Sequence, residues 1–105
     1  QKALDEYNRI ENILLANEVY DDLLYKKGKL LLSMGYFQEA KQSFLVLQNA
    51  AGEGMWKEEG YFYFAKAAFE LDPDSSEEAL MEYLISYPNG FYIEQARTMY
   101  RTFAL

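Results

Sequence analysis

Adjacent acids are the side chains in this chain whose types suggest acid–base chemistry or cation binding. Neighbouring residues on a helix point about 100° apart, so the two carboxylates of such a pair do not face each other. Most of the pairs fall in the first turns of predicted helices, where acids stabilise the helix dipole. We therefore interpret them as helix-capping and solubility residues. The pairs are Asp5-Glu6, Asp21-Asp22, Glu58-Glu59 and Glu77-Glu78.

Missing residue types exclude most other chemistry. The chain has no His and no Cys, which removes the commonest general base, thiol nucleophiles, thiolate metal sites and disulfides. The segment DPDSSEE at 72–78 lacks the spacing of a calcium loop, and GEG at 52–54 is too short for a phosphate-binding loop. The sequence therefore predicts a non-catalytic protein without a metal or cofactor. An enzyme that uses Tyr, Lys, Asp or Glu is the least favoured alternative.

Composition and charge limit the class of protein and of partner. The 105 residues are enough for one domain, and 50% hydrophobic residues are typical of a globular chain. The 17 acids against 10 bases give a net charge of −7, which disfavours binding to nucleic acid and to anionic lipid. No apolar run approaches the roughly 20 residues of a membrane span, so no membrane insertion is expected of this segment.

The spacing of apolar residues predicts an all-α chain of about six helices, without a strand candidate. Gly35 ends the second helix, because glycine tolerates the left-handed conformation at a helix C-terminus. Ser75 and Glu78 have the spacing of a capping box at the start of the fifth helix, and Pro88 ends that helix. Residues 51–54 are a linker and residues 72–74 a turn. The predicted helices span about 2–15, 18–34, 37–50, 55–71, 75–87 and 91–104.

A pattern of small and aromatic residues recurs along these helices. An Ala followed four residues later by an aromatic residue occurs in the third helix and again in the fifth. The helix before each pair carries a small residue, which lets the Ala and the ring of the next helix pack closely. These residues are Gly28, Ala40 and Phe44 in one pair of helices and Ala65, Ala79 and Tyr83 in the next, and Ala3 and Tyr7 repeat the Ala–aromatic spacing earlier in the chain.

At these positions the chain resembles the tetratricopeptide repeat family, most clearly in SMGYFQEAKQSF at 33–44. The resemblance implies antiparallel helical hairpins stacked as a right-handed superhelix. Residues 1–105 would form one such domain, which we expect to be part of a longer array. The spacing from Ala40 to Ala79 exceeds the family period of about 34 residues, and the extra length falls in the linker 51–54 and the turn 72–76.

The segment SYPNGFYIEQA at 86–96 carries a second resemblance. It is similar to the linkers of bacterial envelope repeat proteins, namely outer-membrane assembly lipoproteins and periplasmic partners of the Tol–Pal system. The matching residues are Tyr87, Pro88, Asn89 and Tyr92. This similarity implies a location in the bacterial periplasm or cell envelope. The chain also begins at Gln1 and not at Met, which indicates a processed product or a part of a longer protein.

The resemblance further implies that the first helix of each pair lines a concave groove. Both first helices present an aromatic residue, then a lysine, then an apolar residue along one face. Two lysines side by side suit a carboxylate of a bound peptide, and the rings suit its apolar residues. We therefore expect the groove to bind a peptide or a partner helix. The alternative is that the lysines are only solvated and the phenylalanines contact a neighbouring helix. The candidate groove residues are Tyr25, Lys26, Lys29, Phe62, Tyr63 and Lys66.

Apolar side chains near both ends of the chain support a different function. Terminal repeats of a stack need a polar outer face, and both end helices are too apolar for that. The chain would then be a structural subunit of an envelope complex that stacks on partners, or a homo-oligomer joined through its terminal helices. These apolar residues are Leu4, Ile10, Ile13, Leu14 and Leu15 at one end and Phe91, Ile93, Met99, Tyr100 and Phe103 at the other.

Overall fold

A computed structural model describes residues 3–5, 20–50 and 55–103. These residues are helical or lie in short turns and none belongs to a strand, so the all-α prediction is confirmed. Residues 3–5 are helical, whereas the rest of the first predicted helix and the linker 51–54 lie outside the described residues. The α-helices are α1 (Tyr20–Ser33), α2 (Phe37–Ala50), α3 (Met55–Leu71), α4 (Glu77–Ser86) and α5 (Ile93–Tyr100), and 3-10 turns span Pro73–Ser76 and Arg101–Phe103.

The joint between α1 and α2 follows the prediction. Gly35 has a positive φ of 82°, which only glycine adopts without steric cost. The N–H of Tyr36 donates to the carbonyl of Leu31 at 2.9 Å, and the N–H of Gly35 donates to the carbonyl of Leu32 at 3.1 Å. This pair of hydrogen bonds is a Schellman motif, which satisfies the last carbonyls of α1 and turns the chain into α2.

The start of α4 differs from the prediction. The capping box of Ser75 and Glu78 is wrong, because a 3-10 turn occupies Pro73–Ser76 and α4 begins only at Glu77. The hydroxyl of Ser75 donates to the carbonyl of Asp72 at 2.9 Å, and that of Ser76 donates to the carbonyl of Pro73 at 2.7 Å. Both hydroxyls therefore act as donors inside the turn and do not accept from the first N–H groups of α4.

The helices pack in sequence, each on the next, and α3 lies at the centre. It contacts α1, α2 and α4, whereas α2 and α4 make no extensive contact with each other. Two buried clusters result. One joins α1, α2 and α3 around Leu24, Phe44 and Ala67, and the other joins α3, α4 and α5 around Phe62 and Tyr83. No helix in the described part of the chain is both long and apolar enough to cross a membrane.

Candidate functional site

The small and aromatic residues of the repeat pattern meet inside the two clusters. Gly28 is buried, and a Cβ built there would lie 2.5 Å from Cζ of Phe44. The ring of α2 therefore occupies the space that the glycine of α1 leaves free. Ala65 and Tyr83 lie together in the second cluster, both fully buried, with Ala79 packed against it. Ala40 is likewise fully buried in the first cluster.

These joints bring α1 and α3 side by side and place a lysine between two tyrosines. The ammonium of Lys29 lies 5.0 Å from the ring centroid of Tyr25 and 4.9 Å from that of Tyr63. It donates hydrogen bonds to both hydroxyls, at 3.2 Å and 3.4 Å. Trp56 extends this surface, with its ring 5.3 Å from that of Tyr25. We call Tyr25, Lys29, Trp56 and Tyr63 the aromatic–lysine face.

The aromatic–lysine face keeps its polar atoms partly in water. Lys29 is exposed, whereas Tyr25, Trp56 and Tyr63 are half-buried. Burial favours the neutral phenol and so raises the pKa of Tyr25, against an opposing effect of Lys29. Burial by itself would lower the pKa of Lys29, but hydrogen bonds to the two tyrosines outweigh it and raise that pKa. Lys29 is therefore a fixed positive charge at neutral pH, held on a surface of aromatic rings.

The other predicted groove residues lie in different surroundings. Lys26 is exposed and forms an ion pair with Asp22 at 3.1 Å. Phe62 is fully buried, so in this structure its ring is part of the core and is not accessible to a ligand. Lys66 lies farther along α3, at an open cleft of about 400 Å³ between α3 and α5. That cleft is lined by Lys66, Phe69, Glu70, Glu94, Gln95, Thr98 and Met99.

Trp56 is a residue of the aromatic–lysine face that the sequence reasoning missed. Its contact with Tyr25 recurs later in the chain, where Tyr92 stacks on Phe62 with the ring centroids 4.3 Å apart. The step from 25 to 62 is 37 residues and the step from 56 to 92 is 36 residues. The signal that could have revealed Trp56 is this repeated spacing.

Glu58 and Glu59 lie in a cluster of hydrogen bonds that joins α3, α4 and the segment before α5. One carboxylate oxygen of Glu58 accepts from the hydroxyl of Tyr83 at 2.6 Å and from the backbone N–H of Phe91 at 2.7 Å. The hydroxyl of Tyr83 accepts in turn from the N–H of Tyr92 at 3.0 Å. The hydroxyl of Tyr92 donates to both oxygens of Glu59, at 2.9 Å and 2.7 Å. We call Glu58, Glu59, Tyr83 and Tyr92 the Tyr–Glu network.

The Tyr–Glu network shows that one interpretation from the sequence was wrong. Glu59 is not solvated, since it is only 7% exposed, and Glu58, although it lies in the first turn of α3 as expected, also accepts two hydrogen bonds from distant residues. Burial raises the pKa of Glu59, while Tyr92 and Lys29 act in the opposite direction. Burial and the glutamate partners also raise the pKa values of Tyr83 and Tyr92, which therefore remain hydroxyl donors at neutral pH. The network fixes the segment before α5 against the start of α3.

The arrangement suits binding more than reaction chemistry. The carboxylates of the Tyr–Glu network already accept hydrogen bonds from within the chain. Among the described residues, no group of three carboxylates is placed to hold a metal ion. The aromatic–lysine face offers apolar area, phenol groups and one ammonium, which are typical components of protein interfaces.

No family model, curated protein or solved structure matches this chain. The resemblance to tetratricopeptide repeats therefore stays a prediction from the sequence.

Proposed function

We propose that this chain is a non-catalytic helical-repeat module that binds a segment of a partner protein along the side formed by α1, α3 and the start of α5. One observation carries the proposal. The ring of Tyr63 contacts Tyr25 of α1 at 5.7 Å and Tyr92, just before α5, at 5.4 Å. Three successive first helices thus contribute to one continuous surface that is rich in tyrosine and only half-buried.

Recurring contacts support the tetratricopeptide-like arrangement that we propose for this surface. The ring of Trp56 contacts that of Tyr25, and later in the chain the ring of Tyr92 contacts that of Phe62. Similarly, the ring of Phe44 packs against Gly28, and later in the chain Tyr83 lies in one buried cluster with Ala65. A chain that repeats its interhelical contacts at nearly constant spacing turns by the same small rotation at each step, which builds a superhelix with a concave inner side.

The surface suits a peptide or partner helix with an acidic group near Lys29 and apolar side chains elsewhere. A carboxylate at Lys29 would accept a charge-assisted hydrogen bond. Apolar side chains would pack on Trp56 or in the cleft between α3 and α5, whose floor includes Phe69 and Met99. Tyrosine and tryptophan supply large contact areas at low entropic cost, because each has few rotatable bonds.

The test is selection of binders from displayed random peptides, followed by calorimetric titration of the tightest one. We expect Lys29→Glu together with Lys66→Glu to weaken its affinity at least tenfold, because two attractive charges become repulsive. Because Lys29→Glu also removes the contacts of Lys29 with Tyr25 and Tyr63 and its attraction for Glu59, circular dichroism has to show that the double variant is folded at the temperature of the titration. The matched control is Lys57→Glu with Arg101→Glu, which has the same charge change. Equal loss in the control, or full affinity in the test variant, would contradict the proposal.

A second candidate function is a structural subunit of a bacterial envelope complex that stacks through its ends. Exposed apolar side chains favour it: Phe91 is 87% exposed and Ile85 is 69% exposed. Such side chains are typical of contacts that the isolated chain does not satisfy. Static light scattering over a concentration series tests self-association, which Phe91→Ser should weaken. A monomer at every concentration would count against a homo-oligomer.

A further inference from the structure

A groove lies on a different side of α3 from the aromatic–lysine face. It lies between α2 and α4, which both pack on α3 but make no extensive contact with each other. Phe64 and Ala68 of α3 form its floor, and two adjoining hollows of about 160 and 200 Å³ share Phe64, Ala79 and Glu82. Lys66 is two positions from Phe64 and from Ala68, so it points to the other side of α3.

The two walls of this groove carry opposite charges. Lys41 of α2 lies on one wall, with its ammonium 5.6 Å from the ring centroid of Phe64. Glu78 and Glu82 lie on the other wall, one turn apart on α4 and both exposed. Within the described residues neither glutamate forms an ion pair, because the groove separates them from Lys41. The groove therefore combines an apolar floor with two carboxylates at one rim.

From this geometry we infer that the groove docks a basic amphipathic helix of a partner protein. Residues four apart on a helix have Cβ atoms about 5–6 Å apart, so two lysines or arginines at that spacing would match Glu78 and Glu82. An apolar side chain on the adjoining stripe would enter the hollow over Phe64 and Ala68. This surface is independent of the one used in the proposed function.

Charge argues against the other occupants. A second copy of the chain also carries −7, so it is not the basic partner that Glu78 and Glu82 would attract. The undescribed segment 6–19, EYNRIENILLANEV, has three glutamates and a single arginine, so it has the wrong sign for Glu78 and Glu82. Nucleic acid and anionic lipid are anionic as well. A basic segment of a different protein is the complementary partner.

The probe is a synthetic alanine-based helical peptide with Lys at positions four apart and Leu on the adjoining stripe, titrated into the isotopically labelled chain by NMR. We expect amide shifts at Lys41, Phe64 and Ala79. The double variant Glu78→Gln with Glu82→Gln should bind the peptide about three- to tenfold more weakly, as two partly exposed ion pairs are lost. The control Glu39→Gln with Glu77→Gln has the same charge change and should bind within about twofold of the original.

Three results would overturn the inference. They are no binding of the lysine peptide, equal binding of a peptide with Glu in place of Lys, and shifts confined to Tyr25, Lys29 and Tyr63. The last result would place the peptide on the aromatic–lysine face, and so refute the groove while leaving the proposed function intact. The double variant Lys29→Glu with Lys66→Glu can be titrated with both ligands. If it no longer binds the peptide selected by display but still binds the lysine peptide, the two ligands use separate surfaces.

Discussion

Phe44 and Tyr83 hold the same position in the small–Ala–aromatic sequence pattern and differ by one hydroxyl group. Phe44 is fully buried in an apolar cluster, and its ring lies against Gly28. Tyr83 is equally buried, but its hydroxyl donates to Glu58 and accepts from the N–H of Tyr92. The first joint is thus held by packing alone, whereas the second also anchors the segment that leads into α5.

The hydroxyl oxygen of Tyr83 connects its helix to two further parts of the chain. Tyr83 on α4 reaches Glu58 at the start of α3, and Glu58 also accepts the N–H of Phe91. Glu58 is half-buried, and these hydrogen bonds replace the part of its hydration that is lost. The second joint therefore depends on polar complementarity, and the first depends on the absence of a side chain at Gly28.

Removing the ring of Phe44 should have the largest effect on stability. Phe44→Ala should lower the free energy of unfolding by about 3–5 kcal/mol, because it removes a fully buried ring and leaves a cavity. The same substitution at Phe91, which is 87% exposed, should change it by less than about 0.5 kcal/mol. Denaturant titration followed by circular dichroism measures both, and similar costs would show that the joint does not stabilise the fold.

Tyr83→Phe sharpens the comparison, because it gives the second joint the side chain of the first. It leaves the N–H of Tyr92 without its acceptor and removes one of the two hydrogen bonds that Glu58 accepts, so we expect a loss of about 1–3 kcal/mol. Tyr61→Phe removes a hydroxyl from a half-buried tyrosine outside the network and should cost less than about 0.5 kcal/mol. Amide hydrogen exchange in α5 should be faster in the Tyr83→Phe variant and unchanged in Tyr61→Phe. This result would show that the lost hydrogen bonds anchor the segment before α5.

Gly28→Ala tests the first joint from its other side. The added methyl group would lie 2.5 Å from the ring of Phe44, and overpacking of this kind costs about 1–3 kcal/mol. The higher helix propensity of alanine returns about 1 kcal/mol, so we expect a net loss of about 1 kcal/mol. A more stable variant in thermal denaturation would mean that the ring of Phe44 moves aside freely.

The smallest effect concerns pH. The pKa of Glu59 is raised above its ordinary value of 4.5, chiefly by burial, so the folded chain binds this proton more readily than the unfolded chain does. The stabilising contribution of this protonation is complete below pH 4.5 and is lost as the pH rises through the raised pKa. Glu59→Gln removes the titration and keeps an acceptor for Tyr92. Denaturant titrations give the free energy of unfolding of the variant minus that of the original chain. We expect this difference to be larger at pH 7 than at pH 4, and a larger difference at pH 4 would contradict the prediction.

Local sequence patterns predicted much of the fold. The bounds 37–50 and 55–71 agree with α2 and α3, because apolar periodicity and helix-ending residues act within a few positions of each other. The failure at Ser75 is also local in origin. The hydroxyl of Ser75 could accept from an N–H at the start of the helix or donate to a carbonyl of the turn. In the structure it donates to the carbonyl of Asp72 within the turn that begins at Pro73.

The candidate site was less accessible to sequence reasoning. The pattern put Tyr25 and Lys29 on one face with Tyr63 next to it, and the structure brings these three together. It also assigned Phe62 to that face, although the ring is buried. Periodicity identifies which residues share a side of a helix, but it does not tell which sides a helix at the centre of a fold has covered.

By itself, the sequence determined an acidic, all-helical chain in which small residues precede aromatic ones at repeating distances, because propensity, charge and spacing are properties of neighbouring residues. Only the tertiary structure decided that Glu59 is buried and that Glu58 accepts hydrogen bonds from distant residues. Their hydrogen-bonding partners lie 25 to 33 residues away in the chain, on Tyr83, Phe91 and Tyr92. A carboxylate on a helix surface is solvated or buried according to what folds over it, and that depends on contacts that no local pattern encodes.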